Sequence, residues 1–446
     1  MISWIRVALL VGAAVSCAGP QLMSKSEGAV ERGRRQLDAG RYEAAQREFE
    51  AALETAPRDL RAWHGLLDSA RRRGALADVA PRIEQRARDG PGEASTWFAL
   101  GMLRSAQRRD EDAAVAFSRA ASIAPDEAEV EYRWGAALLG AGRAAEARTP
   151  LSRAVELAPN DASYRVAYAA CLFAAGERHE AMEALTKVPR LSPSSADAER
   201  AIRLARALTD PFRDLGAEER SVIEPALRDL ERDASRPGAE SIDFVVARFP
   251  NLAGGHLLAA LGAERWGDSP RAFTELRKAA ALAPELPQPH AYLARLLVRE
   301  RPEAAAREYA EAVMRNPLDP AVLRELGELE LERLGRPLPA VDSLGRAAEL
   351  TPDDAALQVL AARAELVAGS LGAARERLAR CVRRWRRDAR TLLRLGAAAY
   401  DARARIAGEE RRSVMTQCID HVLEALAEVE PDSAAAKGLR RAAHEG

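Results

Sequence analysis

The side chains able to do chemistry are few, and their spacing is wrong for it. His179 and Glu180 begin the helix motif of a zinc protease, but no second His follows one turn later to complete the ligand set. Gly369-Ser370-Leu371-Gly372 puts a hydroxyl among glycines without the Gly-x-Ser-x-Gly spacing of a nucleophile elbow, and no glycine-rich loop has phosphate-binding spacing. The six histidines are scattered, and His64, His256 and His290 stand far apart at helical positions that serve a core or a groove equally well. Cys171 lies in an apolar helical stretch and Cys381 takes a repeat slot usually held by Ala, so both read as small core hydrophobes. An oxidising compartment would permit a Cys381 to Cys418 bridge, but their unequal places in successive units argue against it. The expectation is therefore a protein that is not an enzyme, with no metal, no cofactor and no small-molecule substrate. One charge run stands out. Residues 375–390 hold eight arginines against Glu376 and Asp388, a local charge of +6. Arg380, Arg383, Arg384 and Arg387 could meet phosphate headgroups or another anionic polymer; the other reading is a solvated helix face paired with neighbouring acids.

Such residues need elements to hold them, and composition says which. With 48% hydrophobic but only 5% aromatic residues, the 446-residue chain suits helices packed closely through Ala rather than strands. Lys and Arg total 66 against 67 Asp and Glu, a net charge of -1, which argues against a nucleic-acid partner. All but four of those bases, Lys25, Lys187, Lys278 and Lys437, are arginine, so any single Arg is weak evidence of a site.

Spacing then fixes the arrangement of the helices. Pro57, Pro91, Pro125, Pro159 and Pro193 each follow the last by 34 residues, a period that means stacked helical pairs rather than independent domains. A second register runs through Pro250, Pro284, Pro317 and Pro352, with one-residue changes falling in turns. Within the unit 94–125, Trp97, Leu100, Gly101, Ala113, Phe117, Ala120 and Pro125 recur at fixed places. That unit resembles the tetratricopeptide repeat at every signature position except the first-helix Tyr, here Arg104. Small residues at the eighth, twentieth and twenty-seventh positions let two antiparallel helices approach, while Trp, Leu and Phe fill the space between units. The fold expected is all-α, an α-solenoid of about eleven stacked antiparallel helix pairs in two arrays.

Met1 to Cys17 carries one cation, Arg6, and an apolar run from Val7 to Val15 that is of signal-peptide length and too short to span a bilayer. Its end, Ala14-Val15-Ser16-Cys17, resembles the lipobox of bacterial lipoproteins, with Ala14 where that family more often has Leu. The resemblance implies a lipid on Cys17, an exported protein anchored to a membrane, and, because Ala18 rather than Asp follows, the periplasmic face of the outer membrane. The expected organisation is a signal peptide over 1–17, a tether over 18–25, an N-terminal array over 26–193 and a capping helix with a bend over 194–218. A divergent C-terminal array over 219–431 and a capping helix over 432–446 complete it.

Tetratricopeptide ligands commonly lie in the concave face formed by first-helix positions two, five, nine and twelve. By that resemblance the groove of the first array holds Val30, Arg34, His64, Asp68, Phe98, Met102, Tyr132, Ala136, Val166, Ala170 and Phe173. Its aromatic and Met side chains fit capture of a peptide or partner helix, with Phe98, Tyr132 and Phe173 foremost. If instead one first helix covers the next, those residues are core. The equivalent positions of the second array include Arg295, Arg324, Glu328 and Glu332 and imply a charge-paired face. The function expected is an envelope scaffold that recruits proteins for assembly, secretion or polysaccharide export. The alternative is an anionic polymer- or lipid-binding module using the 375–390 helix.

Overall fold

A computed structural model describes residues 25–191, 195–213, 215–232, 237–430 and 433–445, and among them every regular element is a helix. The chain divides into two compact units, residues 1–158 and 159–446. In the first, α1 (Lys25–Asp38) pairs with α2 (Tyr42–Thr55), and α3 (Leu60–Arg73) is followed by α4 (Leu76–Asp89). Next come α5 (Ala94–Ala106) with α6 (Asp110–Ile123) and α7 (Ala128–Gly140) with α8 (Ala144–Leu157).

The second unit opens with α9 (Ala162–Ala174), α10 (Arg178–Thr186), a 3₁₀ turn (Pro189–Leu191) and α11 (Ser195–Leu208). Then come α12 (Ala217–Arg232) and α13 (Pro237–Arg248), followed by the pairs α14 (Ala253–Arg265) with α15 (Ser269–Leu282) and α16 (Pro287–Leu297) with α17 (Pro302–Arg315). After them, α18 (Pro320–Glu332) pairs with α19 (Pro337–Leu350), and α20 (Ala355–Val367) with α21 (Leu371–Arg384). Last are α22 (Ala389–Ala404), α23 (Glu409–Val429) and α24 (Ala434–Glu445), which packs on both. The fold is the all-α solenoid type that the period implied.

Close approach explains the pairing. A Cβ added to Gly101 would fall 2.6 Å from the Phe117 ring, and one on Gly327 would fall 2.5 Å from Leu344, so each first helix is held against its partner by contact that only hydrogen permits. Phe117 is 1% exposed, and its burial is worth about 2–3 kcal/mol.

Prolines mark the exits. α2, α4, α6, α8, α13, α15, α17 and α19 each end two residues before a period proline, where the ring's fixed φ and missing N–H stop the helix without harm. The proline carbonyl, left without a helical donor, takes one from a side chain six residues on. Trp63 donates to Pro57 at 2.9 Å and Trp97 to Pro91 at 2.7 Å. Arg165 does the same for Pro159 at 2.9 Å, and His256 Nε2 lies 2.8 Å from the Pro250 carbonyl. One slot in the repeat thus admits Trp, Arg or His because each presents an N–H at that height.

The second unit is more than a file of neighbours. One apolar core joins α9, α10 and α11, through Val166, Leu185 and Ile202, to α16–α20, through Leu323, Leu344 and Leu357. α11 and the 3₁₀ turn both touch α19, and Gln288 of α16 donates to the Thr209 carbonyl at 2.7 Å.

Candidate functional site

The first unit carries a cavity of about 410 Å³ on the face formed by its first helices. α3 supplies His64, Asp68 and Arg71, α5 supplies Met102, the turn after α5 supplies Arg108, and α7 supplies Arg133. Three of these, His64, Asp68 and Met102, are groove residues expected from the sequence.

Arg133 reaches past α5 to α3, placing Nη2 3.2 Å from His64 Nε2 while its Nε donates to Glu129 at 2.7 Å. A guanidinium only donates, so this imidazole nitrogen accepts. Burial, and then the positive charge of Arg133, hold His64 below its ordinary pKa and keep the ring neutral. Arg133 also lies 5.2 Å from the centre of the Tyr132 ring, which leaves Tyr132 half-buried beneath it. Asp68 is clasped by Arg71 at 2.6 Å and Arg72 at 2.9 Å. Burial opposes its ionisation, but the two arginines outweigh it and hold the carboxyl below the usual range.

Arg108 is the residue that the sequence reading missed. Glycines at 40, 74, 142 and 176 close their helical turns with φ between 72° and 86°, a 34-residue series in which 108 is the vacant place. Arg108 takes it at φ 59°, the one non-glycine in the left-handed region among the described residues. That conformation costs about 1 kcal/mol or more in a residue with a Cβ. Its guanidinium has no ion-pair partner among the described residues and borders the cavity. A break in the glycine period was the signal that could have found it.

Three groove expectations are corrected. Phe98 is fully buried, edge-to-face with Phe117 of its partner helix at 5.8 Å, and Val30 and Val166 are also core. The face is accordingly polar, not aromatic. Arg34 is exposed on α1, close enough for its charge to act on His64. Phe173 belongs to the second unit, half-buried against its core with the Arg213 guanidinium 4.0 Å from its ring centre. In that unit Val166 is buried and Ala170 half-buried.

Within the arginine run, Arg377 is half-buried and pairs with Glu365 at 2.7 Å, Arg380 pairs with Glu376 at 3.0 Å and Arg384 with Asp353 at 2.8 Å. Arg386 pairs with Glu428 at 2.5 Å. Arg383 and Arg387 are exposed, so half the run or more is a paired face. Cys381 and Cys418 are buried free thiols, pushed up to about 11 and about 12 by burial, which leaves them inert. Cys17 lies outside the described residues, as does Pro193. No group of metal-binding side chains and no helix long and apolar enough to cross a membrane occurs among the described residues.

Comparison with known proteins agrees with the repeat. The tetratricopeptide repeat family matches residues 30–94 and 293–355, and a second description of the same repeat matches 138–205. A thermophilic tetratricopeptide protein of Thermus thermophilus, TTC0263, is 22% identical, with 41% of this chain and 98% of that one covered at a TM-score of 0.34. YrrB, described as having an unusual peptide-binding site, is 18% identical over 46% of this chain and 99% of its own, with a TM-score of 0.33. PilW, a type IV pilus biogenesis factor, is 16% identical over 51% and 100%, with a TM-score of 0.35. No curated protein sequence matches the chain. Family match, 34-residue period and stacked helix pairs converge on one statement: this chain carries tetratricopeptide repeats, an architecture suited to protein–protein interaction.

Proposed function

We propose that this protein is a non-enzymatic scaffold of a bacterial envelope, held to a membrane by lipid on Cys17, which receives a segment of a partner protein in the first unit's cavity. The carrying observation is Arg108. A backbone strain that glycine would relieve, spent on a cationic side chain that borders an open cavity and pairs with no acid among the described residues, marks a position kept for binding. Arg34, exposed on the same face, adds a second cation, so the segment received is acidic. Recruitment serves assembly, secretion or polysaccharide export, and the anchor supports the periplasmic face of the outer membrane as the site of action.

In-cell crosslinking with mass spectrometry on the full chain tests this reading, comparing wild type with Arg108→Gly and Arg133→Ala variants whose helicity has been checked by circular dichroism. Specific partners are expected to disappear from both variants. An unchanged partner list in folded Arg108→Gly protein rejects the cavity as a receptor. Separately, metabolic labelling with a fatty acid should mark wild type and not Cys17→Ser; equal labelling of the two, or none, rejects the anchor.

A further inference from the structure

The second unit holds a larger cavity, of about 700 Å³, at the edge where its repeats turn rather than on the face of its first helices. The turns that follow α13, α15 and α17 border it, together with α10 and the Leu208–Pro211 stretch where the 34-residue register breaks. Met182, Leu208, Leu252 and Leu286 give it apolar walls, each half-buried or buried. Leu282 and Met314 stand at the same opening 41% and 68% exposed, and neither finds cover among the described residues. Two large aliphatic side chains in water beside an apolar recess carry a free-energy cost that a docked apolar group removes.

Acidic side chains outnumber arginines at this opening: Glu183, Asp210, Glu219 and Glu285 border it against Arg178 and Arg315. Among the described residues, Glu219 accepts only the Gly216 N–H at 2.6 Å, the Asp210 carboxylate only the Phe212 N–H at 2.9 Å, and Glu285 has no ion-pair partner. Hydrogen bonds from neutral amides leave the carboxylate charges uncompensated. Arg315, which also borders the cavity, is already held by Glu311 at 2.6 Å and by the Pro284 carbonyl. Glu183 is answered by Lys187 at 3.1 Å.

We propose that this cavity is a second docking site, which takes a basic amphipathic peptide segment of a partner protein. The segment's aliphatic side chains lie against Leu282 and Met314, and its Lys or Arg side chains lie beside Asp210, Glu219 and Glu285. Volume and mixed lining match a recess for a few side chains rather than a flat interface. Its preference for basic ligands is opposite to that of the first unit's cavity, so one chain would hold two different segments.

Fluorescence anisotropy on the full chain tests it, using as probes a short labelled peptide of leucine and lysine and its leucine–glutamate counterpart. The lysine peptide is expected to bind and the glutamate peptide not. A Leu282→Asp, Met314→Asp variant is expected to lose about tenfold or more in affinity, with Glu219→Lys, Glu285→Lys losing as much and Phe244→Asp, at an exposed residue outside the cavity, losing none. Both cavity variants change exposed side chains or rim charges, and circular dichroism confirms that they fold. Equal binding of the two peptides, or wild-type affinity in the Leu282 and Met314 variant, overturns the proposal. So does sedimentation showing that wild type self-associates through Met314, which would make the occupant a second copy of this chain.

Discussion

Corresponding first-helix faces do different work in the two units. In the first, His64, Asp68, Met102 and Arg133 surround open space, and Arg108 and Asp110 border it with no ion pair between them. In the second, the same face is stitched shut by ion pairs between successive first helices. Arg295 of α16 meets Glu325 of α18 through two hydrogen bonds at 2.8 and 3.0 Å, and Glu332 of α18 meets Arg363 of α20 at 2.6 Å. Burial, and then the nearby Glu325 carboxylate, push the Tyr309 hydroxyl above its ordinary pKa. One repeat can therefore leave its inner face open or close it, and the difference lies in whether ion pairs run between successive first helices.

The largest test of that contrast is to break one of those pairs. The Arg363 side chain of α20 is 9% exposed, so Glu332→Ala, which strands that buried guanidinium, should cost about 3 kcal/mol in urea unfolding. Asp68→Ala in the first unit's cavity should cost no more than about 1 kcal/mol, since its arginine partners are half-exposed. Equal losses would erase the distinction between the closed face and the open one.

Arg108→Gly acts in the opposite direction. Removing a Cβ from a left-handed residue should raise stability by about 1 kcal/mol while binding is lost, and a drop in the urea midpoint would show that the strain reading is wrong.

Acid should separate the units next. His64 has a lowered folded-state pKa, so its contribution is present above the unfolded value near 6.5 and is lost as pH falls through the folded one. In the second unit, burial works against Glu275 but bonds from His256 and Lys278 prevail, and a bond from His290 lowers Glu308; both contributions persist until pH drops below about 4.5. Hydrogen exchange between pH 7 and 5.5 should therefore loosen the first unit and not the second, and His64→Gln should remove that difference. The smallest effect is expected at the exposed Arg386–Glu428 pair, where Arg386→Ala should leave the unfolding midpoint unchanged.

Much of this was legible in the sequence because the repeat is a packing code. Gly101 and Phe117, or Gly327 and Leu344, reveal themselves by spacing, since their contact is set by helix geometry alone. His64, Asp68 and Met102 were found for the same reason: position in the repeat decides which face a side chain shares. Phe98 was misplaced because position does not say how closely the next helix covers that face. Arg108 stayed hidden because it announces itself only through a missing glycine, and the recess beside Met314 because it is assembled from turns that no single repeat contains.

The shared core that ties α9–α11 to α16–α20 has a consequence for how this protein can evolve. Where each repeat meets only its neighbours, an array lengthens or shortens by duplication with little penalty. Between residues 209 and 290 that freedom is gone: inserting or deleting one helix pair would shift every partner across the shared core by a whole repeat and tear it open. The segment behaves as a spacer of fixed length, so its relatives should vary in repeat number before α9 or after α20 and keep the number between them constant.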